Sequence, residues 1–457
     1  MHRTQRAWKK AQELGSRDAL NCIAELNDAA LEEAHYQGRR TTSQRSSGAE
    51  CFSSGGSAGA EYFSSGRGHG QDIFADDYKA PAEMLLRGVP ILVKDNIDVQ
   101  GMHTTAGSLA LSDNVALTDA PVIRNLRRHG AVILGKTNMT EFANYVSSKM
   151  PGGYSSRGGQ VRHAVSDKAF PGGSSTGSAV AVSAGIVSMA VGTDTSHSII
   201  ACAKMNGISG IKPPVGVLSQ EGIVPISKTL DSPGPMAETF LDALRMYRAM
   251  RDEAFPEVKK APLGGLRIAV NQASWESVES GEKAFILKVL DRLKEAGTSV
   301  SFVSQGPEAK LKTIMKWEFK PMLERYLRSS SSLRKTLAEV VVFYEKDPNT
   351  MMKYGIDLLR GALYDTPEGL LGEEYLEALR ERKNRIVEVR SEIEDVDAVI
   401  VTAPTNVMHF CGLPSVTVPA PTGVVDENGV RRGLIMYGAD ERRLYAAALA
   451  IERLLSV

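Results

Sequence analysis

Four cysteines in 457 residues (Cys22, Cys51, Cys202 and Cys411) stand far apart, with no CxxC pair and no Cys/His ligand spacing. That excludes a disulfide framework and leaves a structural zinc site without support; the thiols read as reduced and structural, as in a cytoplasmic protein. The eight histidines form no HExxH or comparable cluster, so neither a metal nor another cofactor is expected. Net charge is also lacking: 54 basic residues balance 54 acidic ones. A neutral chain has no field with which to hold nucleic acid or an anionic membrane as a general partner. Long hydrophobic runs are missing as well. The most apolar stretch, AVAVSAGIVSMAVG (Ala179–Gly192), is too short and too rich in Ser and Gly to span a bilayer. The opening MHRTQRAWKKAQ has no apolar core of a secretory signal. The expectation is a soluble, intracellular chain.

What is present is a globular composition, 42% hydrophobic and 24% charged. Residues 1–37 repeat apolar positions at helical spacing from about Arg6 to Ala34 and are read as an N-terminal helical segment. Residues 38–80 are dense in Ser, Gly and Arg and contain an echo, GAECFSSG (Gly48–Gly55) and GAEYFSSG (Gly59–Gly66). Such a segment buries too little to offset its ordering entropy, and it reads as a mobile insertion whose echo is local duplication. From residue 81 to 457 the texture is that of an enzyme-sized α/β domain. Val89–Val93, Ala131–Gly135, Leu266–Val270, Asp397–Thr402 and Pro414–Pro419 are β-branched apolar runs of buried strands, while Pro121–His129 and Glu441–Leu455 have helical pattern. Strands at both ends of this region predict one large domain, a central mixed sheet covered by helices, joined by the N-terminal helices.

Three places can carry chemistry. Lys94 ends an apolar strand in GVPILVKDNID, where burial would favour a neutral, proton-accepting amine; pairing with Asp95 or Asp98 is the bland alternative. PGGSSTGSA (Pro171–Ala179) leads glycines and serines into an apolar helix, a plain N-cap or anion-binding start if it has no other role. GTDTSHSI (Gly192–Ile199) is a polar loop whose free backbone N–H groups around Ser198 would suit an oxyanion hole, or simply cap a helix.

Together these blocks resemble the amidase signature family of serine hydrolases. The resemblance runs through GVPILVKDNIDVQGMHTTAGS (Gly88–Ser108), GAVILGKTNMTEFA (Gly130–Ala143) and PGGSSTGSAVAVSAGIVSMAVGTDTSHSI (Pro171–Ile199). It continues in NGISGIKPPVG (Asn206–Gly216) and LDSPGPMAET (Leu230–Thr239). It implies the amidase signature fold and a catalytic set of Lys94, Ser174 preceded by a cis peptide bond, and the nucleophile Ser198. By the same resemblance the backbone N–H groups of Thr195, Ser196, His197 and Ser198 are the oxyanion donors, with Ser175 and Asp194 in support. The implied partner is a small-molecule amide, uncharged or apolar, and the reaction passes through an acyl-enzyme. A homodimer is compatible with this reading.

The pattern is broken in places. Ser196 and His197 stand where the family usually has two glycines, so a backbone cost or a blocked pocket is expected there. Ile200 replaces the usual arginine, and only VMHF separates PTN (Pro404–Asn406) from CGLPSVTVP. A catalytically weakened or inactive scaffold with the same fold is therefore the alternative reading, and a glutamine-dependent amidotransferase subunit is a third.

Overall fold

A computed structural model describes residues 2–37, 83–276, 278–304 and 310–456; the Ser/Gly-rich segment at 38–80 lies outside the described residues. The architecture is set by one mixed sheet of eleven strands. In chain order these are β1 (Ile23–Leu26), β2 (Pro90–Lys94), β3 (Val132–Thr137), β4 (Met189–Asp194), β5 (Ser209–Lys212) and β6 (Ser232–Ala237). They continue with β7 (Arg267–Asn271), β8 (Ser299–Val303), β9 (Ala398–Val401), β10 (Ser415–Pro419) and β11 (Gly433–Tyr437). Across the sheet the order is β1-β3-β2-β4-β6-β5-β10-β11-β9-β7-β8. Strands β3, β2 and β4 run parallel, as do β9, β7 and β8, while the pairings from β4 through β6, β5, β10 and β11 to β9 are antiparallel.

Strand periodicity distributes the core between two faces. On β2, Ile91 and Val93 enter a cluster formed with helices Pro121–Arg128, Phe240–Met250, Ser280–Glu295 and Glu441–Leu455. Leu92 points the other way, toward Thr176–Ser183, Ile200–Met205 and Asn406–Phe410. Both faces are covered, which is why these strands read as unbroken apolar runs. A third apolar cluster joins Phe142 and Tyr145 to helices Leu311–Ser329, Leu337–Lys346 and Asp357–Tyr364. Among the described residues no helix is long and apolar enough to cross a membrane.

One local expectation is corrected. The helical reading of Arg6–Ala34 fails in its middle: a helix covers His2–Leu14, Ile23–Leu26 forms the edge strand β1 on β3, and helix resumes over 30–37. The first helix stops at Leu14, Asn21 adopts φ 54° in the connection that follows, and the exposed edge of β3 supplies ladder partners to Ile23–Leu26. The Ala179–Gly192 run divides between two elements. Gly185, at φ 64°, closes the helix Thr176–Ser183, and the chain returns as β4.

Candidate active site

Parallel pairing brings the C-terminal ends of β2 and β4 side by side. β2 ends in Lys94 and β4 in Asp194, so the loop Thr195–Ser198 begins beside the lysine. That loop leads directly into the helix Ile200–Met205. The helix Thr176–Ser183 packs over β2 and β4 and sets its N-terminal serines above the same point.

Lys94 is fully buried. Its Nζ donates to Ser174 Oγ at 2.8 Å, to Thr193 Oγ1 at 2.8 Å and to Thr193 O at 3.2 Å. Pairing with Asp95 or Asp98 does not occur: Asp95 sits 3.7 Å from Lys136 Nζ, and Asp98 accepts from Tyr326 Oη. Desolvation outweighs the opposing pull of Cys202, Asp194 and Asp231 and lowers the Lys94 amine from 10.5 to about 7. A substantial fraction is therefore neutral at physiological pH.

Ser174 follows a cis peptide bond from Gly173. Its Oγ lies 2.9 Å from Ser198 Oγ, so Lys94, Ser174 and Ser198 form one unbroken hydrogen-bonded row. In the resting arrangement the Ser174 hydroxyl donates to Ser198 Oγ, and donation the other way requires the Ser198 hydroxyl to turn. Gly173 admits no side chain: a Cβ would stand 2.9 Å from both Gly152 Cα and Thr140 Oγ1. Ser175 occupies the N-cap position, yet its hydroxyl makes no cap; Oγ instead donates to Thr193 O at 3.0 Å and accepts from Thr193 N–H at 3.3 Å. Its own N–H donates to Ser198 O at 3.3 Å. The serine hydroxyls thus connect helix to strand where a simple helix start would turn them on the helix's own amides.

Asp194 is fully buried and its Oδ2 accepts from Ile199 N–H at 2.7 Å and Ile200 N–H at 3.2 Å, tying down the loop that carries Ser198. The amides of Thr195, Ser196, His197 and Ser198 have no acceptor among the described residues. Neither Ser196 nor His197 has a positive φ, so the backbone cost expected from replacing glycines does not arise. His197 turns its ring onto His409, with centroids 5.0 Å apart and planes at 72°. Burial, then the electrostatic influence of neighbouring His409, lowers His197 from 6.5 to about 4, leaving it neutral.

Several contributors went unnoticed in the sequence. Thr193 Oγ1 takes the lysine amine and accepts from Asn96 Nδ2 at 3.1 Å. Asp231, inside the LDSPGPMAET block, accepts from Thr195 Oγ1 at 2.6 Å and from Ile226 and Ser227 N–H at 2.8 and 3.0 Å. Its burial pushes the carboxyl up from 3.8 to about 7. His409 belongs to VMHF, which looked only like a spacer; it forms the helix Asn406–Phe410. No group of three or more His, Cys, Asp or Glu among the described residues is arranged to hold a metal.

The family model for amidases matches residues 74–414. The chain belongs to the amidase family. A probable amidase of Arabidopsis thaliana is 31% identical over 396 residues, 81% of this chain and 77% of that protein. Among solved structures, an amidase family protein from Bacillus anthracis superposes with a TM-score of 0.82 at 27% identity, covering 99% of this chain and 87% of that one. The peptide amidase of Stenotrophomonas maltophilia gives 0.80 at 29% identity, covering 99% and 93%. As an amidase the chain is an amide carbon–nitrogen hydrolase, and the large mixed sheet flanked by helices is the amidase fold.

Proposed function

We propose that this amidase hydrolyses a small, uncharged or apolar carboxylic amide with Lys94, Ser174 and Ser198 as its catalytic set. The observation that carries the reading is the continuous row of contacts, 2.8 Å from Lys94 Nζ to Ser174 Oγ and 2.9 Å on to Ser198 Oγ. Neutral Lys94 takes the proton of Ser174 as Ser174 takes that of Ser198. Ser198 Oγ then bonds to the amide carbon, and the negative charge develops on the carbonyl oxygen, against the free amides of residues 195–198. The same row run backwards protonates the departing nitrogen, the C–N bond breaks, and an acyl ester on Ser198 remains. Water, deprotonated through the same two groups, releases the carboxylic acid and restores Ser198.

The preference for an uncharged acyl group rests on how the site's charges are committed. Asp194 faces inward to His409 and two amides, Asp231 to Thr195 and its own loop, and position 200 is a buried isoleucine in place of a cation. The His197 ring, set edge to face against His409, argues against the scaffold reading, since it is engaged by the protein itself. Replacing Ser198 with Ala is expected to abolish both amide turnover and labelling by a serine-directed fluorophosphonate. Wild-type turnover in that variant rejects the assignment.

A further inference from the structure

The helix Asn406–Phe410 buries Val407, Met408, His409 and Phe410 beneath the loop of the candidate nucleophile. His409 and Asp194 are each wholly inaccessible to solvent, and Nδ1 of the imidazole lies 3.2 Å from Asp194 Oδ1. The approach is off the axis of a hydrogen bond, and His409 Nε2 has no partner among the described residues. The His197 ring meets the His409 ring edge to face. Arg382 Nε donates to Phe410 O at 2.6 Å, and Lys212 Nζ donates to Leu413 O at 2.9 Å, so the C-terminal end of this short helix and the turn after it are anchored.

A carboxylate removed from water needs compensating charge or donors. Asp194 Oδ2 has two backbone amides, but Oδ1 has no hydrogen-bond donor. Position 200 could have carried one, yet Ile200 is buried and apolar. His409 stands at Oδ1 instead. Asp194 ends β4 and grips the amides of Ile199 and Ile200, the two residues directly after Ser198. A turn of this carboxylate would move the attacking hydroxyl relative to Ser174.

We propose that His409 is a positioning residue for the hydrolysis: held by His197, it orients Asp194, and Asp194 fixes the loop that presents Ser198. The inference rests on the reading of Ser198 as nucleophile, and it assigns the VMHF segment a task in this chain that its sequence does not announce. His409 acts through Asp194 and touches no reacting atom.

The test compares wild type with His409→Leu, His409→Asn and His409→Gln. The first readout is the second-order rate of fluorophosphonate labelling, normalised to folded protein by circular dichroism, with Ser198→Ala as the blank. Leucine fills the space but leaves Asp194 Oδ1 facing only apolar atoms, and labelling is expected to slow about tenfold or more, the scale of an uncompensated buried carboxylate oxygen. Asparagine places an amide near the Nδ1 position and is expected to recover most of the rate; glutamine, one carbon longer, recovers less. The second readout is hydrogen exchange at the Ile199 and Ile200 amides, which are expected to exchange about tenfold faster in His409→Leu. Labelling at the wild-type rate, or unchanged exchange at those amides, overturns the proposal. If His409→Leu does not fold, the Asn and Gln variants decide, and equal or reversed rates overturn it. A wild-type protein that is never labelled sinks the catalytic reading of Ser198, while exchange still decides whether His409 orients the loop.

Discussion

Replacing Lys94 with Met tests the base through two independent consequences of one titration. Methionine keeps most of the length of the side chain while removing the amine. In the unfolded chain lysine holds its proton up to its ordinary value of 10.5, whereas folding lowers Lys94 to about 7. Between those values the unfolded state binds more protons than the folded state, so stability rises with pH. The penalty of burying the amine is fully present below about pH 7 and disappears as pH climbs toward the unfolded value. Each pH unit is worth about 1.36 kcal/mol, and from about pH 7 to about pH 9.5 the wild type should gain roughly 3 kcal/mol from this group alone. The Lys94→Met variant lacks the contribution. Groups not named among the charges acting on Lys94, such as Lys212, which burial lowers to about 8, cancel in the difference. Urea unfolding of the two proteins at both pH values reads the effect as a change in the gap between them. Activity supplies the other reading: kcat/KM of the wild type is expected to rise with pH through about 7 as the amine becomes neutral, and Lys94→Met to lose about a hundredfold or more. A stability gap that stays constant over this range refutes the lowered amine, and a flat activity profile refutes its role as base.

Two more substitutions follow from the geometry. Ser196→Gly is expected to leave fluorophosphonate labelling within about twofold of wild type and to cost less than about 1 kcal/mol in denaturant unfolding, because no left-handed backbone needs relief there; a large gain in labelling would show that Ser196 had weakened the site. Asp231→Ala removes the acceptor of Thr195 Oγ1 and of two loop amides, stranding buried donors at about 1–3 kcal/mol each, while Asp231→Asn keeps an acceptor and should retain most of the stability. Thermal unfolding of the pair checks this, and equal losses would show that the hydrogen bonds do not matter.

How far the site could be read in advance depended on whether its parts are local. Val89–Val93 and Ala131–Gly135 were legible as strands because burial on both faces demands continuous β-branched and aliphatic residues. Lys94, Ser174 and Ser198 each sit in a stretch that is odd but ambiguous by itself (a lysine ending an apolar strand, serines after paired glycines, a polar loop before a helix), and only their combination, through its resemblance to the amidase signature, singled them out. β1 was not legible, since Ile23–Leu26 is a strand only by virtue of the β3 edge beside it. The Ala179–Gly192 run hid its change from helix to strand because alanine and valine serve either, and only the positive φ at Gly185 divides them.

The chain's residues by themselves determined a lysine at the end of a buried strand, serines after paired glycines and a polar loop before a helix, because burial, glycine and small polar side chains each leave a local mark. Tertiary structure alone decided their partners. The parallel neighbours β2 and β4 set Lys94 against Thr193, the loop before Ser232 sends Asp231 to Thr195, and a helix far downstream in the sequence delivers His409 to Asp194. Each of those is a contact between distant segments, and charge compensation in a dry interior acts through distance in space, for which position along the chain is no guide.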